Sequence, residues 1–246
     1  MGVLNVTPDS FSDGGRWLDA DTAVAHGLRM VAEGADVIDV GVESTRPGAD
    51  PVPVDEEMRR VLPVVQALAG HVRVSIDTRK AEVAEAALDA GATLVNDVSA
   101  SLAAVARAAD AGWVAMHMQG DPRTMQQAPA YDDVVADVTA FLVERASAAS
   151  TPEVWIDPGI GFGKTLEHNL ALLAHLDQLG ATGYPVVVGT SRKSFLGKLT
   201  GDAPTDDRVE ASVATAAWAM SQGAAMVRVH DVRPTVEAAR LLDAGR

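Results

Sequence analysis

Short apolar runs alternate with longer amphipathic stretches from one end of the chain to the other. The runs fall at 2–6, 36–40, 72–76, 93–96, 113–116, 153–156, 185–189 and 225–229. Most are continuous rather than alternating, a pattern that predicts parallel strands buried on both faces. The stretches between them predict helices. In the second, Met58, Val61, Leu62, Val65 and Leu68 share one helical face, while Pro63 predicts a kink or a later start. Gly34 and Gly91 follow Ala/Leu-rich stretches as helix-terminating C′ residues.

Eight strands, each followed by a helix, fit either a doubly wound open sheet or a closed (β/α)8 TIM barrel within the α/β class. The open sheet usually places a glycine-rich phosphate turn after its first strand. Here the first run leads instead into the polar segment Thr7-Pro8-Asp9-Ser10-Phe11-Ser12-Asp13-Gly14-Gly15, which favours the barrel. No Ser/Gly-rich linker interrupts residues 1–246, so a single domain is expected, at a length usual for such barrels.

Composition narrows the partners. Hydrophobic residues make up 48% and aromatics only 4%, which suits helices packed over strands. The formal charge is −14 with no basic run, which argues against nucleic acid or an anionic membrane surface as partner. An anionic substrate must then be held by a few local cations. With no cysteine, disulfides and thiolate metal sites are excluded. The start lacks the charged and apolar regions of a signal peptide and no stretch reaches membrane-spanning length, so a cytoplasmic location is expected.

A barrel places its functional groups at the C-terminal ends of its strands. Those ends read Asn5, Glu43-Ser44-Thr45-Arg46, Asp77, Asn96-Asp97, His117, Asp157, Ser191-Arg192-Lys193, and Arg228 with His230. Solvated loops account for about half of these. They do not account for Asp77, Asn96, Asp157 and Lys193, which stand beside buried apolar runs where unpaired polarity is costly.

The runs at 2–15 and Glu43-Ser44-Thr45-Arg46-Pro47-Gly48-Ala49 resemble the two signature loops of the dihydropteroate synthases. Further segments match in the same order. They are Ser75-Ile76-Asp77-Thr78, Asn96-Asp97-Val98-Ser99, Met116-His117-Met118-Gln119-Gly120, Asp157-Pro158-Gly159-Ile160-Gly161-Phe162-Gly163-Lys164, Ser191-Arg192-Lys193-Ser194 and Arg228-Val229-His230-Asp231. A P-loop reading of Gly161-Phe162-Gly163-Lys164-Thr165 fails because Pro158 occupies its first glycine position.

The resemblance implies condensation of a pterin pyrophosphate with p-aminobenzoate in folate biosynthesis, with Mg²⁺ and small molecules as the only non-protein partners. Asp157 would accept both N–H donors of the 2-aminopyrimidinone edge, although Asp-Pro-Gly alone is equally a turn signal. Asp77, Asn96, Met116, Gly189 and Lys193 would complete the pterin site, although a Met at the depth of Met116 is usually plain core. Asn5, Arg228 and His230 would form the pyrophosphate site, Asn5 also being the named metal ligand. Taken singly, Arg228 reads as an ion pair and His230 as a buried hydrogen-bonded imidazole. Phe11, Thr45, Arg46, Pro47 and Ser194 would hold p-aminobenzoate, so sulfonamides that mimic it would inhibit. Asp13, Lys193 and Arg228 would act in catalysis by stabilising charge.

Some positions depart from the family pattern. Val42 and Ala100 stand where glycines are usual, and little sequence precedes the first strand, so the barrel floor is expected to lack its usual cover. Ala211, Ala214 and Ala217-Trp218 fit either the family's homodimer interface or inward core. A pterin-binding paralogue without activity and a pterin-dependent methyltransferase are the competing readings. Phe11-Ser12-Asp13-Gly14-Gly15 and Thr45-Arg46-Pro47 weigh against both.

Overall fold

The computed structural model describes residues 1–6, 16–42 and 52–245. Six parallel strands pair in chain order: β1 (Gly2–Asn5), β2 (Val37–Gly41), β3 (Arg73–Asp77), β4 (Leu94–Asp97), β5 (Gly112–Met116) and β6 (Val154–Asp157). The short strands β7 (Val187–Val188) and β8 (Met226–Val227) pair with each other. Single parallel bridges join the two sheets at both seams, Gly2 with Val229 and Ile156 with Val186. Val3 N donates to Val229 O at 2.9 Å, and Ile156 N donates to Pro185 O at 3.0 Å. Eight strand segments thus stand around one axis as a TIM barrel, with a ladder that is thin at its two seams.

Helices cover the outside: α1 (Arg16–Ala32), α2 (Val54–Leu68), α3 (Ala81–Asp89), α4 (Ala103–Ala108), α5 (Val134–Ala149), α6 (Leu166–Ala174), α7 (Leu176–Gly180), α8 (Ser194–Leu199), α9 (Val209–Ser221) and α10 (Val232–Ala244). The α1 and α3 ends follow one rule. Gly34 N donates to Val31 O and Ala35 N to Met30 O; Gly91 N donates to Leu88 O and Ala92 N to Ala87 O. Both are Schellman closures with the expected glycine at positive φ, and each releases the chain straight into the next strand.

The predicted α2 face is confirmed, with Val61, Val65 and Leu68 fully buried. The later start predicted from Pro63 does not occur, because α2 begins at Val54 and carries Pro63 within it. Pro63 lies on the exposed side, where the carbonyl of Arg59, left without its helical donor, can be hydrated. Ala100 has φ +50°, a left-handed conformation that explains why glycine is favoured at this position.

Side chains alternate between the helix layer and the barrel interior. Leu4, Ile38, Val40, Val74, Ile76, Val95, Trp113 and Ile156 join the helix-facing core. Met1, Val37, Leu94, Val114 and Val187 form a separate cluster inside the barrel, with Trp155 and Met226 against it. At its lower edge Arg73 bonds Glu153 at 2.5 and 3.0 Å, and the Trp155 indole donates to Glu153 at 2.6 Å. The chain's own side chains, Met1 included, fill the lower interior. Ala214 and Trp218 face outward, with Trp218 half exposed, so the inward-core reading of this face does not hold for those two residues.

Candidate active site

Two residues above the apolar plug, the inward positions become polar. Asp77 and Asn96 are direct partners across β3 and β4, and Met116 and Asp157 are partners across β5 and β6. Asn96, Met116 and Asp157 are buried. Gly189 follows β7, and a β-carbon there would sit 3.7 Å from Arg228 Cβ and 3.8 Å from Lys193 Nζ. Glycine thus keeps the space beside both cations open.

Arg228 ties the strands together. Its Nε donates to Asp39 Oδ2 and its Nη2 to Asp77 Oδ2, each at 2.6 Å. Burial works against its charge, but the Asp39 and Asp77 carboxylates outweigh that and raise its pKa. Asn96 Nδ2 also donates to Asp39 Oδ2, at 2.9 Å. Burial pushes Asp77 up to about 7; Arg228 opposes this, and the carboxylates of Asp39, Glu57 and Asp97 add to it. The loop after Asp77 is anchored by Thr78, whose hydroxyl donates to buried Glu57 at 2.7 Å, and by Lys80, which also bonds Glu57.

The Asp157 loop requires its glycines. Asp157 Oδ1 accepts from Gly159 N at 2.7 Å, and Gly159 takes φ +65°. A β-carbon at Gly159 would lie 1.9 Å from His117 O, closer than any side chain can approach. Burial raises the Asp157 pKa, opposed first by the Lys193 charge and then by the Gly159 hydrogen bond. Lys193 donates to Ile160 O and lies 4.6 Å from the Phe162 ring centroid. Its own burial lowers it to about 8, with Asp157 working in the opposite direction.

Asn5 is exposed at the end of β1 and lines a cavity of about 510 Å³ together with His230 and Arg192. Ser191 Oγ accepts from His230 N at 3.1 Å and pairs with His230 Nδ1 at 3.0 Å. Arg192 forms a two-point ion pair with Asp231, at 2.7 and 3.0 Å. Ser194 is exposed at the first position of α8. Phe11, Asp13, Thr45, Arg46 and Pro47 lie outside the described residues, as does the segment that follows Val42.

Most strand-end residues named from the sequence therefore meet at one end of the barrel. Asp97 does not. It faces the helix layer, accepting from Ser101 N and Leu102 N at 2.7 Å and from the Trp113 indole at 3.1 Å. Adjacent residues of a strand cannot both point inward, so the inward place is taken by Asn96.

Two groups, Asp39 and Lys164, escaped the sequence reading of the site. Asp39 sits inside an apolar strand run, and a charge in such a place was itself a signal. Lys164 is buried, donating to His117 Nδ1 at 2.9 Å and Phe162 O at 3.0 Å. Burial lowers Lys164 to about 7; burial, and then the Lys164 charge, lower His117 to about 3. The pair cross-links the β5 and β6 loops beside Asp157. Ser191 orients His230, a role no residue pattern announced.

The constellation gathers hydrogen-bond donors, acceptors and paired charges at one end of the barrel. Comparison with known proteins decides the lineage. The pterin binding enzyme family matches residues 1–230. This chain belongs to that family. Among its relatives, the dihydropteroate synthase of Mycobacterium leprae is 51% identical, the match covering 99% of this chain and 92% of that protein. The fold agrees equally well. A Xanthomonas albilineans dihydropteroate synthase with 4-aminobenzoic acid superposes with TM-score 0.92 at 48% identity, covering 99% of this chain and 91% of the other. A Yersinia pestis dihydropteroate synthase in a sulfonamide drug complex gives TM-score 0.92 at 47% identity, covering all of this chain and 93% of the other. Among the described residues no helix is long and apolar enough to cross a membrane.

Proposed function

We propose that the chain condenses 6-hydroxymethyl-7,8-dihydropterin pyrophosphate with p-aminobenzoate, releasing pyrophosphate and forming dihydropteroate for folate biosynthesis. The observation that carries this reading is the set of Asp77, Asn96, Asp157, Lys193 and Arg228 converging above an apolar plug. In the balanced reaction the bond from the pterin methylene carbon to the pyrophosphate oxygen breaks. The arylamine nitrogen bonds to that carbon and loses a proton.

No protein nucleophile is required, so catalysis rests on orientation and on stabilising separated charge. Asp157 would accept the two pterin N–H donors, Asp77 and Asn96 would meet ring nitrogens, and Lys193 would donate to the ring carbonyl. Met116 would pack against the ring, and Gly189 would leave room for it. Arg228 and His230 would face the leaving pyrophosphate. Ser194 would receive the p-aminobenzoate carboxylate, with Phe11, Thr45, Arg46 and Pro47 walling its ring and Asp13 near the developing positive charge.

The donor chemistry at Asn5 fits Mg²⁺. Asn5 offers one hard amide oxygen on a residue exposed at the end of β1. That suits an ion retained mainly by phosphate oxygens and water. Mg²⁺ would supply charge neutralisation on the departing pyrophosphate. The exposed face bearing Ala214 and Trp218 would meet a second copy of the chain, and one pterin-binding domain acting in the cytoplasm accounts for all these features.

The test is pyrophosphate release from the pterin pyrophosphate with Mg²⁺, with and without p-aminobenzoate. Release that depends on p-aminobenzoate and keeps pace with dihydropteroate supports the reading. Tight pterin binding without turnover sinks it in favour of an inactive paralogue.

A further inference from the structure

Asp39 lies in β2, faces the barrel interior and is fully buried. One of its oxygens, Oδ2, accepts from both Arg228 Nε and Asn96 Nδ2. An oxygen holding two N–H donors acts as an acceptor, so the Asn96 amide must present nitrogen to it. The oxygen and nitrogen of an amide occupy different corners of one plane, so with Nδ2 held by Asp39 the Asn96 carbonyl oxygen turns away from that carboxylate. Asn96 is also the direct partner of Asp77 across β3 and β4, within the polar layer.

We propose that Asp39 is a positioning residue of the pterin site, setting Asn96 to offer a carbonyl oxygen to a ring N–H and fixing the plane of Arg228. The inference rests on the pterin reading given above. Arg228 is gripped on Nε by Asp39 and on Nη2 by Asp77, two carboxylates from adjacent strands, so its guanidinium cannot rotate without breaking an ion pair. The second oxygen of Asp39 and the neighbouring Ser75 hydroxyl are buried without hydrogen-bond partners among the described residues. A carboxylate placed only for stability would not leave an acceptor unsatisfied in the interior. What Oδ2 organises is the reason for its presence. Asn96 thereby contributes a defined acceptor, and the site distinguishes rings by whether they carry a donor opposite it.

Asp39→Asn keeps the shape and removes the charge that fixes both partners. Calorimetry with 6-hydroxymethyl-7,8-dihydropterin pyrophosphate should show affinity falling about tenfold or more. The KM for p-aminobenzoate should stay within about twofold, a split that general loosening of the fold would not produce. Pterin affinity within about twofold of native would overturn the proposal. A second measurement uses the native protein alone. With its nitrogen bonded to a buried carboxylate, Asn96 should show a side-chain amide proton protected from solvent exchange by NMR. Rapid exchange of both protons would overturn the proposal even if Asp39→Asn does not fold. If the native protein binds no pterin pyrophosphate, the reading of the site fails, and the amide measurement still decides how Asn96 is held.

Discussion

In the lower barrel interior stand Val37, Leu94, Val114, Trp155, Val187 and Met226. Two residues further along the same six strands stand Asp39, Asn96, Met116, Asp157, Gly189 and Arg228. Both layers point inward because side chains repeat with a period of two. The lower layer needs only volume, and any close-packed apolar set would serve. In the upper layer each polar group needs a partner of matching geometry, which ties residues on β2, β3 and β4 to Arg228, just past β8, in one network. One layer therefore supplies stability with little demand on identity. The other demands identity and costs stability.

Asp157→Asn tests the upper layer and should have the largest effect. The amide preserves the acceptor for Gly159 N but places a donor where two pterin donors are expected. We expect kcat/KM to fall by about 10³-fold or more, with the thermal midpoint little changed because the shape is retained. A loss below about tenfold would break the assignment of Asp157 to the pterin edge.

Leu94→Ala tests the lower layer. Leu94 is fully buried in the plug, and its truncation should cost about 2–5 kcal/mol in denaturant unfolding. The KM values of the folded protein should move less than about threefold. A large change in pterin KM with little change in stability would mean that the two layers are not separable.

The sequence made these layers unequally visible. Parallel strands buried on both faces give continuous apolar runs, so all eight strand positions emerged, with ends displaced by one or two residues. Asp77, Asn96, Asp157 and Lys193 were visible because polar groups close such runs. Asp39 was not, because it stands within a run whose neighbours Ile38 and Val40 face the helices, and a linear reading sees only one charge among apolar residues. Asp97 was placed on the wrong side for the same reason: burial is legible from composition, whereas facing depends on register. Lys164 closes a matching segment and an unfulfilled phosphate-loop motif, but its partner His117 is 47 residues away, so their pairing is not visible along the chain. Trp218 shows the opposite limit, since an aromatic on an Ala-rich helix reads equally as core or as interface, and half of it is exposed. The roles expected of Phe11, Asp13, Thr45, Arg46 and Pro47 fall outside the described residues.

Lys193 carries the smallest effect and the sharpest distinction between the cost and the use of the upper layer. Burial brings its pKa from an ordinary 10.5 down to about 8. The unfolded chain therefore binds more protons than the folded one between about 8 and 10.5, and Lys193's contribution to stability rises with pH across that window. Its contribution to activity runs the other way. As a donor to the pterin carbonyl it must be protonated, so kcat/KM for the pterin substrate should decline as pH rises through about 8, approaching tenfold per unit. Lys193→Arg keeps a cation that does not titrate in this range. It should lower the plateau rate and abolish the alkaline limb. A limb that persists near pH 8 in Lys193→Arg would assign the titration to another group, with Lys164, lowered to about 7, the next to examine. Opposite slopes of stability and activity over one pH window would show that the charge retained for binding is the same charge the fold is strained to hold.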